Sequence, residues 1–230
     1  MMTPENKTVL LFDLDGTLVD SAPDLAAAIN QMLVTLGLKV FPQDKIRSWV
    51  GNGARTLVER ALHHSLKDNL TANNKYSEEE VNNALAIFLK YYQLNLCVES
   101  VLYTGVKTTL LALKKQGYRL AIITNKPAEF IEPIITGFGL SGLFELQLGG
   151  DSLNERKPHP LPLLYACTAL NVSVNECIMI GDSKNDILAA KAANMQSIGL
   201  TYGYNYGEEI SVYQPDWCLE TFEELLPLFT

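Results

Sequence analysis

The chain has 230 residues, of which 47% are hydrophobic and 19% are charged. A chain of this length and apolar content can bury a large core, which excludes a disordered or collagen-like protein. Its 18 basic and 26 acidic residues give a net charge of −8. This acidic balance disfavours a nucleic acid as the main partner, because such partners are held through many basic contacts to phosphate.

The N-terminal segment and the cysteines indicate a cytoplasmic chain with no membrane partner. Residues 1–7 are polar and do not resemble a signal peptide. No apolar run approaches the roughly 18 to 20 residues that cross a bilayer. The cysteines show neither CxxC pairing nor zinc-ligand spacing, so we expect free thiols. They are Cys97, Cys167, Cys177 and Cys218. The oligomeric state is left open as monomer or homodimer.

The first predicted strand, residues 9–12, is separated from the next by a long stretch with helical character. Helical periodicity covers residues 24–36, 54–66 and 77–92, and Ser77 with Glu80 forms a capping box. Residues 69–75 are polar and predict a loop between two of these helices. Because no strand is predicted in this stretch, the simplest interpretation is a helical insert after the first strand.

Strands and helices alternate from residue 106 onward. Short, continuous apolar runs predict strands that are buried on both faces, as in a parallel sheet covered by helices. These runs are residues 120–123, 146–148, 177–180, 197–200 and 217–219, and the helices between them are residues 106–116, 129–136, 160–170 and 185–193. The predicted fold is therefore α/β, with a doubly wound, Rossmann-like parallel core in residues 1–20 and 103–230. Residues 21–102 form the helical insert.

Polar side chains with matching chemistry follow the predicted strands. Ligands of open parallel sheets bind beyond the carboxyl ends of the strands. The residues expected there are Asp13, Asp15, Thr124, Asn125, Lys157, Asp182 and Asp186. Carboxylates with one hydroxyl and one ammonium suit a divalent metal and a phosphoryl group.

Asp13 and Asp15 lie in the sequence Asp-Leu-Asp-Gly-Thr directly after the first strand. Two carboxylates with this spacing can face one cleft and take different roles, one as a nucleophile and one as a proton carrier. The alternative is that both carboxylates only cap a turn or a helix.

Four segments in order resemble the motifs of the haloacid dehalogenase superfamily. They are residues 12–21, Thr124–Asn125, Lys157–Pro158 and residues 181–186, and the helical insert resembles the cap domain of that superfamily. The second aspartate and Asp182 favour phosphoryl transfer over dehalogenation, which needs neither a second acid nor a metal.

The resemblance implies a role for each motif residue. Asp13 would attack phosphorus, and Asp15 would protonate the leaving group and then activate water. Mg²⁺ would be held by the Asp13 carboxylate, the Asp15 backbone carbonyl and Asp182. Thr124, Asn125 and Lys157 would bind the phosphoryl group. Asp186 would orient Lys157 or a metal-bound water, and it could equally cap the following helix.

Two further stretches, residues 49–55 and 199–208, resemble the phosphoglycolate phosphatases of this superfamily. Gly51, Asn52 and Gly53 precede a helix, where backbone N–H groups can bind the carboxylate of a substrate. An ordinary turn is the alternative, and Arg55 receives no role. The implied activity is Mg²⁺-dependent hydrolysis of 2-phosphoglycolate, a small phosphorylated substrate, through an aspartyl-phosphate.

Three alternatives stay open. One is a related phosphatase that acts on pyrophosphate or a sugar phosphate. Another is a capped phosphomutase, which returns the phosphoryl group to a sugar. The third is a domain that only binds phosphorylated ligands, although such a domain has no need for Asp15.

Overall fold

The structure is a computed structural model that describes residues 4, 6–67 and 76–229. The predicted loop at residues 69–75 therefore lies outside the described residues. The strands are β1 (Val9–Phe12), β2 (Val19–Asp20), β3 (Val101–Leu102), β4 (Arg119–Ile123), β5 (Phe144–Leu148), β6 (Cys177–Gly181), β7 (Gln196–Leu200) and β8 (Trp217–Leu219).

Helices cover both faces of the main sheet and fill the insert. The α-helices are α1 (Ala22–Thr35), α2 (Gln43–Arg47), α3 (Ala54–Lys67), α4 (Glu78–Leu94), α5 (Val106–Lys115), α6 (Ile131–Gly137), α7 (Leu161–Ala169), α8 (Lys184–Ala192) and α9 (Leu225–Leu228). Short 3₁₀ turns occupy Ala128–Phe130, Val174–Glu176, Ile210–Tyr213 and Phe222–Glu224.

The main sheet has the strand order β5-β4-β1-β6-β7-β8, and every neighbouring pair is parallel. The predicted doubly wound α/β fold is confirmed. Strand β1 lies inside the sheet and is fully buried, with Leu10 and Phe12 in one apolar cluster and Val9 and Leu11 in another. Burial on both faces explains why the strand is a continuous apolar run rather than an alternating one.

The register of the sheet brings three strand ends together. Phe12 at the end of β1 lies opposite Ile122 of β4 and Ile180 of β6. The residues that follow these strands therefore meet at one edge of the sheet, as the sequence predicts.

The expectation that no strand lies between β1 and β4 is wrong. Strands β2 and β3 form a two-stranded antiparallel ribbon, with Val19 opposite Leu102 and Asp20 opposite Val101. Each strand has only two residues, too few to show an apolar alternation in the sequence. The five-residue helix α2 is too short for helical periodicity and was likewise not predicted.

Helices α1 to α4 lie between β2 and β3, and α1 packs against the other three. The capping box of Ser77 and Glu80 at the start of α4 is confirmed. Asp24 in the first turn of α1 is buried, and its carboxylate accepts hydrogen bonds from the backbone N–H groups of Val98, Glu99 and Ser100. The hydroxyl of Ser100 donates to the same carboxylate at 2.5 Å. Asp24 thus ties the returning chain to the start of the insert.

The four cysteines carry free thiols, as predicted. Within the described residues, no helix combines the length and the apolar character that a membrane crossing needs.

Candidate active site

Asp13 follows β1 directly and is held in place by the sheet. Its backbone N–H donates to the carbonyl of Ile180 at 3.0 Å, which extends the parallel pairing by one residue. The side chain is buried, and Oδ1 lies 3.0 Å from Nζ of Lys157. Burial raises the pKa of Asp13 to about 6, although the charge of Lys157 acts in the opposite direction.

Lys157 is the cation beside Asp13. Its ammonium is buried and also donates to Oδ1 of Asp186 at 2.5 Å and to the carbonyl of Ile123 at 2.5 Å. Burial alone would lower the pKa of Lys157, but Asp13 and Asp186 outweigh this effect and raise it. The side chain therefore stays charged and fixed in position.

Asp186 performs both of the tasks that the sequence left open. Its Oδ1 accepts from Lys157, while Oδ2 accepts from the backbone N–H and the hydroxyl of Ser183 at 3.0 and 2.9 Å. The second pair of contacts is the capping box at the start of α8. Both oxygens of Asp186 are thus occupied by hydrogen bonds.

Asp182 comes directly after β6, and both of its carboxylate oxygens also accept hydrogen bonds. Oδ1 accepts from the hydroxyl of Thr17 at 2.6 Å, and Oδ2 accepts from the backbone N–H of Tyr204 at 2.5 Å. Two glycines leave room for this carboxylate, because a Cβ atom at Gly16 or Gly203 would lie 2.3 or 2.2 Å from Oδ2. Burial, followed by the charge of Asp13, raises the pKa of Asp182 well above its ordinary value.

These carboxylates are able to hold a hard cation. Asp13, Asp182 and Asp186 are buried, and each offers an oxygen within 4.8 Å of those of the other two. Oδ1 of Asp13 is 3.0 Å from the Lys157 ammonium, but this ion pair lacks hydrogen-bond geometry, and no other described residue donates a hydrogen bond to the oxygen. Like charges packed this closely repel one another, and a divalent cation would relieve the repulsion.

Asp15 is held by two residues that the sequence analysis did not select. The hydroxyl of Ser21 donates to Oδ1 at 2.6 Å. Nζ of Lys126 lies 3.0 and 3.1 Å from the two oxygens and donates to the hydroxyl of Tyr92 on α4 at 2.7 Å. Burial alone would lower the pKa of the Lys126 ammonium, but the contacts with Asp15 and Tyr92 outweigh this effect and raise the pKa. Lys126 could have been selected from the sequence, because it comes directly after Thr124–Asn125 at the end of β4.

Asn125 links the sheet to the insert. Its amide donates to the carbonyl of Lys157 at 2.9 Å and to that of Gly51 at 3.1 Å. The amide of Asn185 donates to the same Gly51 carbonyl at 3.0 Å. Thr124 lies beside Asn125, and its hydroxyl accepts from the backbone N–H of Lys126. The carbonyl of Gly51 thus fastens the loop before α3 to the edge of the sheet.

The site opens into a cavity with about 460 Å³ of empty space, part of it continuous with solvent. Asp13, Asp15, Thr124 and Asn125 line it from the core, together with Lys126. Leu57 and Phe88 of the insert belong to its apolar wall, to which Phe130 of the core also contributes.

The three residues predicted to bind a substrate carboxylate are not placed alike. Gly51 and Gly53 line the cavity, whereas the side chain of Asn52 accepts from Arg60 at 2.7 Å. Arg55 is directed elsewhere, since it pairs with Glu59 and with other partners on the surface of the insert.

Comparisons with known proteins agree with this geometry. A family model described as haloacid dehalogenase-like hydrolase matches residues 10–200. A protein of Colwellia psychrerythraea named phosphoglycolate phosphatase is 60% identical over 98% of both chains. One of the same name from Psychrobacter arcticus is 45% identical and covers 96% of this chain and 95% of its own.

A solved structure shares the whole architecture. The crystal structure of a predicted phosphoglycolate phosphatase from Haemophilus somnus superposes with a TM-score of 0.93 at 43% identity. It covers 98% of this chain and 99% of its own. The matched residues contain β4, β6 and all but the first residue of β1, together with the polar residues that follow these strands. The chain belongs to the haloacid dehalogenase-like hydrolase family.

Proposed function

We propose that the chain hydrolyses 2-phosphoglycolate to glycolate and inorganic phosphate. The observation that carries the chemistry is the Asp13 carboxylate, which lies in a cavity beside Asp15 and is paired with the buried Lys157. The names of the relatives at 60% and 45% identity support the choice of substrate.

The reaction takes place in two displacements at phosphorus. A carboxylate oxygen of Asp13 attacks the phosphorus atom, and the bond between phosphorus and the glycolate oxygen breaks while Asp15 donates a proton to that oxygen. Water then attacks the same phosphorus and gives a proton to Asp15. The bond to Asp13 breaks, phosphate is released, and both carboxyl groups return to their starting states.

Mg²⁺ suits the acidic cluster, and we assign its ligands to the carboxylates of Asp13 and Asp182 and to the backbone carbonyl of Asp15. When bound, the ion supplies positive charge that offsets the repulsion between Asp13 and the phosphate. Asp186 is assigned to Lys157 instead, because its Oδ1 is paired with that buried ammonium at 2.5 Å, whereas the hydrogen-bond partners of Asp182 are neutral. Lys157 neutralises the charge that Asp13 and the phosphoryl group share.

Residues 21–102 are proposed to be a cap on a core of residues 1–20 and 103–230. Thr124, Asn125 and Lys157 are proposed to bind the phosphoryl group, and Gly51, Asn52 and Gly53 of the cap are proposed to bind the rest of the substrate. The Gly51 carbonyl, which accepts from Asn125 and Asn185, is one of the contacts that join the two parts at the cavity. Closure of this kind excludes bulk water and favours a small substrate. A cytoplasmic location and a monomer or homodimer stay predictions.

Phosphate release from 2-phosphoglycolate tests this function. Pyrophosphate, a glucose phosphate and a nucleotide monophosphate serve as competing substrates, each with Mg²⁺ and with EDTA. We expect metal-dependent release from 2-phosphoglycolate in preference to the others, and none from the Asp13→Asn variant. Release from the other esters alone would refute the substrate. A folded protein that releases phosphate from none of them would favour the mutase or a binding domain.

A further inference from the structure

Among the described residues that line the cavity, one side chain is a cation, and it is Lys126 rather than Lys157 or Arg55. Lys157 is not among the residues that line the cavity, and its ammonium contacts two carboxylates and a carbonyl. Arg55 is on the surface of the insert. Lys126 lines the cavity, and its side chain is only 3% exposed.

The proposed substrate needs a second cation in this cavity. 2-Phosphoglycolate carries a carboxylate one carbon away from the ester oxygen, so a molecule with its phosphorus at Asp13 brings a second negative group into the same space. A buried carboxylate without a partner is strongly disfavoured. The rest of the wall includes Leu57 and Phe88, which cannot compensate for that charge.

The surroundings of Lys126 suit a carboxylate. Its three N–H donors go to the two oxygens of Asp15, at 3.0 and 3.1 Å, and to Tyr92. Asp15 would give up one of these contacts when it turns to the leaving oxygen, and the substrate carboxylate would take over that donor. Tyr92 accepts from the same ammonium at 2.7 Å and keeps its own proton for another acceptor. Burial raises the pKa of Tyr92 to about 12, so this hydroxyl stays a donor at neutral pH.

On the basis of the proposed function, we infer that Lys126 is the specificity residue of the site, and that with Tyr92 it binds the carboxylate of the substrate. Lys126 comes from the core and Tyr92 from α4 of the insert, so the carboxylate is bound only when the two parts are together. An ester of the same size without a carboxylate gains nothing from this pair. The preference for an acidic ester over a neutral one therefore depends on Lys126.

The test compares 2-phosphoglycolate with ethyl phosphate, which has a methyl group in place of the carboxylate. The variant is Lys126→Met, which removes the charge and keeps most of the volume. Arg55→Met is the matched control, a cation lost from the insert outside the cavity. Because Lys126 also holds Asp15, the informative quantity is the ratio of kcat/KM for the two esters and not the rate on either one.

We expect Lys126→Met to lower this ratio on the order of 100-fold, as for the loss of one partner from a buried charged pair. Arg55→Met should leave the ratio unchanged, and Lys126→Arg should restore part of it. In the Asp13→Asn background, calorimetry should show that Lys126→Met weakens binding of 2-phosphoglycolate and leaves that of ethyl phosphate nearly unchanged.

An equal fall of both rates in Lys126→Met would overturn the inference, since Lys126 would then act only through Asp15. If that variant does not fold, Lys126→Gln takes its place with the same expected fall and the same contrary result. A wild-type enzyme that cleaves ethyl phosphate but not 2-phosphoglycolate would refute the proposed function itself. The wild-type protein thus separates failure of the function from failure of the inference.

Discussion

Replacement of Gly203 by alanine should displace Asp182. The new Cβ would lie 2.2 Å from Oδ2 and 2.3 Å from Cβ of Asp182, whereas ordinary contacts begin at 3.4 Å. The carboxylate therefore has to move by about 1 Å or more, and overpacking of this kind costs about 1–3 kcal/mol of unfolding free energy. It would also strain the hydrogen bonds from Thr17 and from the Tyr204 backbone.

The effect on activity should exceed the effect on stability. A misplacement of about 1 Å in a catalytic site can lower the rate about 100-fold. We expect Gly203→Ala to lower kcat/KM by about that factor and to raise the Mg²⁺ concentration needed for half-maximal activity. The assays are phosphate release across a Mg²⁺ titration and urea denaturation of the same preparations.

Gly137→Ala is the control for this substitution. A Cβ there would lie 3.3 Å from the sulfur of Cys97, a tight contact with a side chain outside the cavity. The control should retain wild-type activity and the wild-type Mg²⁺ requirement. A Gly203→Ala enzyme with normal kcat/KM and an unchanged metal requirement would show that Asp182 is not confined in the way described.

Three further predictions concern the buried Asp24, the metal site, and the hydrogen bond of Asn185 to the Gly51 carbonyl. Asp24→Ala should lower the unfolding free energy by about 3 kcal/mol in urea, because it leaves buried donors at Ser100 unpaired; an unchanged midpoint would contradict the anchoring role. Mg²⁺ at 100 times its Kd should raise the Tm by about 5–10 °C, from a stabilisation of about 2.7 kcal/mol. Asp182→Asn should abolish most of that rise, and a rise of equal size in the variant would remove Asp182 from the metal site. Asn185→Ala removes one of the two amides on the Gly51 carbonyl and should raise KM more than it lowers kcat; unaltered steady-state kinetics would show that this contact does not hold the cap.

Much of the fold could be predicted because each strand is a local signal. A four-residue apolar run such as β1 is recognisable by itself, and in a parallel sheet its carboxyl end places Asp13 at the ligand-binding edge. The same logic placed Asp182 after β6. The β2–β3 ribbon carries no such signal, because two residues do not establish a pattern.

Contacts between distant segments could not be predicted in this way. The ion pair of Lys126 with Asp15 joins residues that are 111 apart in sequence, and it depends on how β4 lies beside β1. A lysine is most often exposed, so its identity favoured a surface position. The space that Gly203 leaves for Asp182 likewise exists only once the loop after β7 has folded over β6.

The phosphoryl group on Asp13 tests the central claim most directly. The enzyme is mixed with 2-phosphoglycolate and Mg²⁺ for less than one turnover, quenched in acid, digested and analysed by mass spectrometry. We predict that the peptide containing Asp13 gains the mass of one phosphoryl group, that hydroxylamine removes it, and that Asp13→Asn shows no such gain. Rapid release of phosphate with no modified peptide at any quench time, or a phosphoryl group on a different residue, would contradict the proposed mechanism.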